Sequence, residues 1–412
     1  MKTAELLLVR FSEIGLKGKN RGRYLRQLVS NLRQTMRDWP GRGAVRATRN
    51  RILIALEEPA RTAGPARQRI MARLADTPGV RSFSPARALP LDLEAIAHAA
   101  VELAREAAGG PLAPRTFAVR ASRSDKRFAH RSIEIERAVG ARVRQALPQL
   151  GVELGRPELE LGIEIHPEAA YLFDERLDAP GGLPVGSSGG VVHLLSGGLD
   201  SPVAAWRLQL RGVSVYPLYF HSFPFTGDAA RLKVLELARV LAQRQPRLVL
   251  HIAPFTAVQT ALREACDPAM LVVLYRRMML RVAERLATAL GLQALASGDS
   301  VGQVASQTLA NLRTIDQVST LPVLRPLCGT DKEETIALAR RLGTYEISTR
   351  PAADCCSLFV PRHPRTRTSP EQAERQERRV DVPALIAACL EGLERVVFEG
   401  GHPQHEPSPL AG

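Results

Sequence analysis

The sequence is poor in cysteine, in aromatic residues and in long apolar runs, and each shortage removes a class of protein. Five cysteines stand among 412 residues, at Cys266, Cys328, Cys355, Cys356 and Cys389, and no two are spaced C-x-x-C. A zinc or iron–sulfur site built from them is therefore not expected, and no side-chain metal site is assigned. The odd count, without a secretion signal, speaks against a disulfide framework. No run approaches the roughly 18 apolar residues that would span a bilayer. The opening MKTAELLLVRF is too short in its apolar part for a signal peptide and has no small-residue cleavage site. A cytoplasmic protein with no membrane partner is expected. Two nucleotide fingerprints are also missing, G-x-x-x-x-G-K-[ST] and G-x-G-x-x-G.

What is present fits a multidomain globular chain. Hydrophobic residues make up 45% and charged residues 24%, which is ordinary, and the length suggests two to three domains. The net charge of +14 is uneven: residues 1–60 hold 13 Lys and Arg against 5 Asp and Glu, and residues 61–176 hold 18 against 15. A basic patch focused at one end favours a polyanion such as nucleic acid. An Arg-rich composition throughout is the plainer alternative.

Hydrophobic periodicity divides the chain. Residues 1–62 read strand, helix, strand, strand, a small α+β domain. Residues 63–176 read as a second α+β domain, with helices at 66–74, 93–106 and 132–147 and strands at 116–121, 159–165 and 170–173. The Gly/Pro/Ser-rich DAPGGLPVGSSGG is a linker or entry loop. From there to 398 strands and helices alternate, which predicts a mostly parallel sheet covered by helices on both faces. Ligands bind such sheets beyond the C-terminal ends of the strands. Residues 399–412 read as a disordered tail.

VVHLLSGGLDSP, residues 191–202, lies at such a strand end. It joins an apolar strand to a helix start through Ser196, Gly197 and Gly198. Helix N-termini offer unpaired N–H groups to anions, and the two glycines let backbone approach a phosphate closely. Ser196 and Ser201 add hydroxyls. Asp200 beside an anion makes sense if Mg²⁺ is shared with phosphates, or if it caps the helix.

The string LLSGGLDSP resembles the pyrophosphate loop (PP-loop) of the ATP-pyrophosphatase superfamily. Five further strings, YPLYFHSFPFTGDAA, SGDSVGQVASQTLANL, LRPLCGTDKEET, LGTYEISTRPAADCC and FAVRASRSDKRFAHRSIEIERAVGARV, resemble the tRNA 4-thiouridine synthetase, or tRNA sulfurtransferase, family. The N-terminal RFSEIGLKGKNR is similar to that family's ferredoxin-like opening. The resemblance implies an α/β chain of three parts: a ferredoxin-like domain at 1–62, a THUMP RNA-binding domain at 63–176 and a Rossmann-like PP-loop ATP-pyrophosphatase domain at 177–398.

It also implies an enzyme that transfers sulfur to uridine eight of tRNA. The C4 oxygen is adenylated by ATP and Mg²⁺, and persulfide sulfur then displaces AMP. The ATP-binding residues would be Leu194, Leu195, Ser196, Gly197, Gly198, Asp200, Ser201, Tyr219, Phe220, Arg276, Gly298 and Gln307, with Gly298 leaving room for the nucleotide. Asp299 stands where the family more often has Glu. Lys332 would meet a phosphate or the substrate, although Thr330 with Glu333 also reads as a plain capping box. Cys356 matches the essential cysteine, surrounded in sequence by Arg350, Arg362, His363, Arg365 and Arg367, which would favour its thiolate. Cys355, Cys328 and Cys266 are candidates to resolve its persulfide. Lys17, Lys19, Arg21, Arg120, Arg123, Lys126 and Arg127 are the tRNA-binding candidates.

Some members end in a rhodanese-like domain, for which residues 399–412 leave no room. Sulfur is then expected directly from a cysteine desulfurase or through a separate rhodanese. A homodimer and a role in thiamine biosynthesis are further family options. Another PP-loop tRNA thiolase, or an RNA-binding module with a nucleotide site, are the rival readings.

Overall fold

In Ala4–Arg10 alternate side chains face opposite ways, as a strand requires: Leu7 and Val9 enter one apolar cluster, Leu6 and Leu8 another. The computed structural model describes residues 4–36, 39–58, 64–110, 112–352, 364–399 and 402–406, and makes this segment β1. The chain divides into two units, Met1–Gly182 and Leu183–Gly412.

In the first unit α1 (Arg21–Thr35) turns Leu28, Val29 and Leu32 onto one face of β1. A hairpin follows, β2 (Arg42–Ala47) and β3 (Ile52–Leu56), with β3 antiparallel to β1. Helix α2 (Pro65–Ala75) opens on Pro65, at a position whose missing N–H costs nothing. β4 (Ser82–Leu89) then returns antiparallel on the other side of β1. This βαββαβ set is the ferredoxin-like arrangement, and it closes only with β4. The domain boundary expected at 62 falls inside it.

The sheet continues through α3 (Leu93–Ala108), β5 (Thr116–Arg123), α4 (Ser132–Ala146), β6 (Gly151–Val152), β7 (Leu159–Ile165), β8 (Ala170–Phe173) and β9 (Leu177–Asp178). Its path is β2-β3-β1-β4-β8-β7-β5-β6, with β9 beside β4. Helices α3 and α4 bury Ile96, Ala100, Val139 and Val143 against β5 and β7.

Where Arg10 at the end of β1 meets Glu164 of β7, the sheet holds a buried ion cluster. Glu164 accepts from Arg10 Nε at 2.7 Å, Arg51 Nε at 2.8 Å and His166 Nε2 at 3.1 Å. Arg10 also donates to Ser84 Oγ and lies over the Phe173 ring. Burial alone would raise the Glu164 carboxyl, but His166, Arg10 and Arg51 hold it well below the usual range. Removing one partner strands the other charges in low dielectric. Glu164→Ala is therefore expected to cost about 3–5 kcal/mol in the first unit. Urea unfolding followed through Trp39 in a Trp206→Phe background isolates that unit, since these are the chain's two tryptophans. An unchanged midpoint would show that the cluster is not a structural anchor.

The second unit carries β10 (Gly190–Leu194), α5 (Asp200–Leu210), β11 (Ser214–His221), α6 (Asp228–Ala242), β12 (Arg247–Pro254), α7 (Thr256–Ala265), α8 (Leu271–Ala289), β13 (Leu295–Ala296), α9 (Leu309–Asp316), β14 (Val323–Leu324), α10 (Lys332–Leu342), α11 (Tyr345–Ser348), α12 (Pro370–Glu377), α13 (Val382–Glu391), β15 (Glu394–Glu399) and β16 (His402–Glu406). The sheet order is β14-β13-β10-β11-β12-β15-β16. The first five strands are parallel and the last two antiparallel. Neighbouring residues serve opposite faces: Leu218 and Phe220 pack with α7 and α8, Tyr219 with α5 and α6. The tail expected to be disordered over 399–412 is corrected in part, because His402–Glu406 pair with β15 as an edge strand.

Candidate nucleotide site

The turn between β10 and α5 is fixed by its own hydroxyls. Ser201 Oγ accepts the Ser196 N–H at 2.9 Å and donates to the Ser196 carbonyl at 3.1 Å. The Gly198 N–H donates to Ser196 Oγ at 3.2 Å. His193, buried in β10, donates from Nε2 to the Ser201 carbonyl at 2.8 Å and so ties strand to helix. Burial pushes that imidazole down to about 4, so it stays neutral. Pro202 is the third residue of α5 rather than the first, still among the positions with no N–H partner within the helix.

Asp200 opens the helix but does not cap it. Its carboxylate accepts from Lys332 Nζ at 2.6 Å and from Gln303 Nε2 at 2.8 Å. Asp331, not Thr330, caps α10, accepting the Glu333 N–H at 2.8 Å; this corrects the Thr330 capping box and leaves the Lys332 amine reaching Asp200. Gly298 is a glycine for a reason the sequence does not reveal. A Cβ there would lie 2.7 Å from the Ser201 nitrogen, so the space is taken by the first turn of α5. Behind Gly197 lies the stem of Lys233, which is buried and donates to the Arg350 carbonyl at 2.8 Å.

One cavity gathers Leu194, Leu195, Ser196, Gly198, Asp200, Ser201, Tyr219, Phe220, Arg276, Gly298 and Gln307. Of the twelve expected ATP contacts only Gly197 is not in its lining. The same cavity adds Met279, Ser297 and Asp299. It lies beyond the C-terminal ends of β10, β11 and β13, the place a parallel sheet offers a ligand.

Asp299 organises this wall, a role its sequence position does not suggest. Arg276 donates to both carboxylate oxygens at 2.5 Å, Ser297 Oγ at 2.7 Å, Gln307 Nε2 at 3.1 Å and Arg325 Nε at 3.2 Å. Arg325 also grips Asp316 at 2.7 and 2.5 Å. Burial pushes the Asp299 carboxyl up, but Arg276, Ser297 and Arg325 together hold it far below the carboxylate range. Arg276 and Gln307, expected to face a ligand, are thus also positioned by this buried anion. The only signal in the sequence is the acid one residue after Gly298.

Cys355 and Cys356, with Arg362 and His363, lie outside the described residues. Both flanks of their segment are fastened near the cavity, one to the PP-loop and α6, the other to the start of α9. On one side Ser348 Oγ donates to the Gly198 carbonyl at 3.3 Å, and the Arg350 guanidinium binds Glu236. On the other, Thr308 Oγ1 donates to the Thr366 carbonyl at 2.6 Å and Asn311 Nδ2 to the Arg365 carbonyl at 2.8 Å. Cys266 is buried, and burial raises its thiol; Cys389 is pushed by burial up to about 12. Cys328 is exposed.

The tRNA candidates all lie in the first unit and differ in freedom. Lys19 and Lys126 are exposed. Lys17 sits over the Tyr24 ring. Arg21 is held by Asn50 at 2.9 Å and by the Arg49 carbonyl. Arg120 reaches the Leu154 carbonyl, and Arg123 holds the carbonyls of Phe128 and His130. Arg127 is clamped by Asp125, so its charge is locally answered.

Among the described residues no group of three or more His, Cys, Asp or Glu is placed to hold a metal. None of their helices is long and apolar enough to cross a membrane.

Comparison with known proteins agrees with this geometry. The family model described as thiamine biosynthesis protein (ThiI) matches residues 186–382, the ThiI ferredoxin-like domain residues 6–84 and the THUMP domain residues 91–175. The probable tRNA sulfurtransferase of Brevibacillus brevis is 41% identical over 95% of this chain and 95% of its own length. That of Moorella thermoacetica is 41% identical over 95% and 97%. A crystal structure of a 4-thiouridine synthetase–RNA complex with bound ATP superposes with a TM-score of 0.86 at 36% identity, covering 96% of this chain and all of that one. The cavity, the domain order and these relatives together place the chain in the tRNA sulfurtransferase family.

Proposed function

We propose that this chain uses ATP to convert a tRNA uridine, at position eight, into 4-thiouridine in the cytoplasm. The observation that carries this is the convergence of the loop, Tyr219, Phe220, Arg276 and Gln307 on one cavity at the strand ends. A relative of the same fold holds both ATP and RNA.

ATP is a substrate here. Adenine suits the apolar end of the cavity, Leu194, Phe220 and Met279, while the pyrophosphate suits the amides and hydroxyls of Ser196–Ser201. Mg²⁺ is commonly held by one or two carboxylates plus phosphates, and Asp200, at the loop and partly exposed, fits that donor set. Asp299 does not, because its oxygens are taken by two arginines. Bound there, the ion would neutralise phosphate charge. Lys332, which pairs with Asp200, would be within the same site to meet a phosphate.

The uridine O4 attacks the α-phosphorus, and the bond to pyrophosphate breaks. Adenylation turns an oxygen that cannot leave into AMP, which can. The terminal sulfur of a Cys356 persulfide, loaded by a cysteine desulfurase or a separate rhodanese, attacks C4 and AMP departs. The thiolate of a second cysteine, with Cys355, Cys328 and Cys266 as the candidates, then attacks Cys356 Sγ; the bond from Cys356 to the sulfur on C4 breaks, which leaves a protein disulfide and 4-thiouridine. Lys17, Lys19 and Lys126 would grip tRNA phosphates.

The test incubates the protein with unmodified tRNA, ATP, Mg²⁺, a cysteine desulfurase and cysteine. Nucleoside mass spectrometry should find 4-thiouridine and one AMP released per thiouridine formed. Thiolation at C2, or none, would overturn the proposal.

A further inference from the structure

We propose that Phe223 and Phe225 form the platform on which the target uracil stacks as its C4 oxygen enters the nucleotide cavity. This rests on the tRNA-thiolating function proposed above.

Apolar exposure in the second unit is not scattered. Its large exposed apolar side chains among the described residues are Phe223, Phe225, Leu232, Val301, Val304 and Leu309. Every one follows β11 or β13 in the chain, within the loop or the first turns of the next helix. These two strands flank β10 and run parallel to it, so their ends open on either side of the PP-loop. The apolar groups therefore border the one edge where the chemistry takes place. Apolar surface concentrated beside a ligand cavity marks a contact rather than chance.

The two phenylalanines are the aromatic part of that border. Phe223 is 64% exposed and Phe225 45%. Their loop is held from beneath. Buried Thr226 donates its N–H to the Ser222 carbonyl at 2.8 Å, and its hydroxyl accepts the Ser222 N–H at 3.1 Å. Thr256 Oγ1 donates to the Phe223 carbonyl at 2.6 Å. Exposed rings on a fixed backbone are preorganised for a flat partner. They also connect to the cavity: ring centroids step from Tyr219, in its lining, to His221 at 6.0 Å and on to Phe223 at 6.3 Å.

The chemistry of the partner follows. Arg231, the fourth residue of the next helix, is paired with Glu394 at 2.6 Å, so the loop presents rings rather than an unanswered cation to a phosphate. Reaction at C4 requires the base to leave its stack in RNA, and an enzyme replaces that lost stacking with its own aromatic faces. Uracil's O4 is committed to the reaction and its O2 and N3–H lie on the ring edge, so the π-face is what a pair of exposed rings can hold.

Phe223→Ala/Phe225→Ala should lower single-turnover thiolation about 10- to 100-fold, while affinity for ATP and for whole tRNA changes little. Trp at both positions should preserve the rate and Leu should not, which separates stacking from apolar packing. The product supplies a zero-length probe. tRNA carrying 4-thiouridine, bound to the wild-type enzyme and irradiated in the near ultraviolet, should crosslink to residues 222–227. Crosslinks elsewhere, or a double-alanine variant as active as wild type, overturn the platform alone. A defect seen with desulfurase and cysteine but absent with free sulfide would make the loop a dock for the sulfur donor, and would also overturn it. Wild-type protein that forms no thiouridine overturns the functional reading as well.

Discussion

Asp299→Ala is expected to abolish ATP binding and to destabilise the second unit by about 3–5 kcal/mol. The reason is that one buried carboxylate answers two guanidinium groups, Arg276 and Arg325, and receives Ser297 and Gln307 besides. With the carboxylate gone, Arg276 and Gln307 lose the anion that aims them along the cavity wall. Arg325 retains Asp316, which is why the loss should not be larger. Trp206, buried where α5 packs on its neighbours, reports this unit in urea in a Trp39→Phe background. Isothermal titration reports ATP. Asp299→Glu, which keeps the charge, should recover most of both. The sign with pH is definite. The folded carboxyl lies below its ordinary value, so its contribution is fully present above the unfolded pKa, near 3.9. It is lost as pH falls through the folded value. Wild type should therefore shed this stability only below about pH 4, and the alanine variant should be flatter there. An alanine variant that binds ATP normally would mean that Arg276 is positioned by other groups.

That hub was not legible in the sequence, and the cause is separation along the chain. Its two arginine partners stand 23 and 26 residues from Asp299, and no periodicity links them. The PP-loop, by contrast, is a contiguous string whose strand, glycines and helix start each have a local cause. The same contrast explains the rest. The boundary at 62 misplaces α2 and β4 because the closing step is the pairing of β4 with β1, about eighty residues apart, as in Leu8↔Ser84. α7, α12 and α13 have only 8 to 10 residues each, too few for a clear stripe. The HPQHE segment reads as disorder because of its proline and polarity, yet an edge strand can spare a proline's N–H. Gly298, singled out by the resemblance, lines the cavity, but the reason for a glycine there was not legible, since the backbone it faces belongs to α5.

Two variants should stop thiolation at different steps, and together they separate the two halves of the chemistry. Cys356→Ser should leave no detectable 4-thiouridine, because a hydroxyl cannot hold a sulfur–sulfur bond. It should still release pyrophosphate from ATP in the presence of tRNA, since adenylation belongs to the cavity. Asp200→Asn keeps shape but removes the charge that Lys332 and Gln303 now orient. Losing that electrostatic contribution should lower pyrophosphate release and thiolation together, about 10²- to 10³-fold. Its fold should hold within about 1 kcal/mol, because a pair with Lys332 46% exposed contributes little to stability. The measurement is pyrophosphate and 4-thiouridine from the same reaction, with and without desulfurase. Cys356→Ser that still thiolates would move the sulfur to another residue, Cys355 or Cys328 first. Asp200→Asn that releases pyrophosphate at the wild-type rate would remove Asp200 from the adenylation step and leave the loop's amides and hydroxyls to carry it.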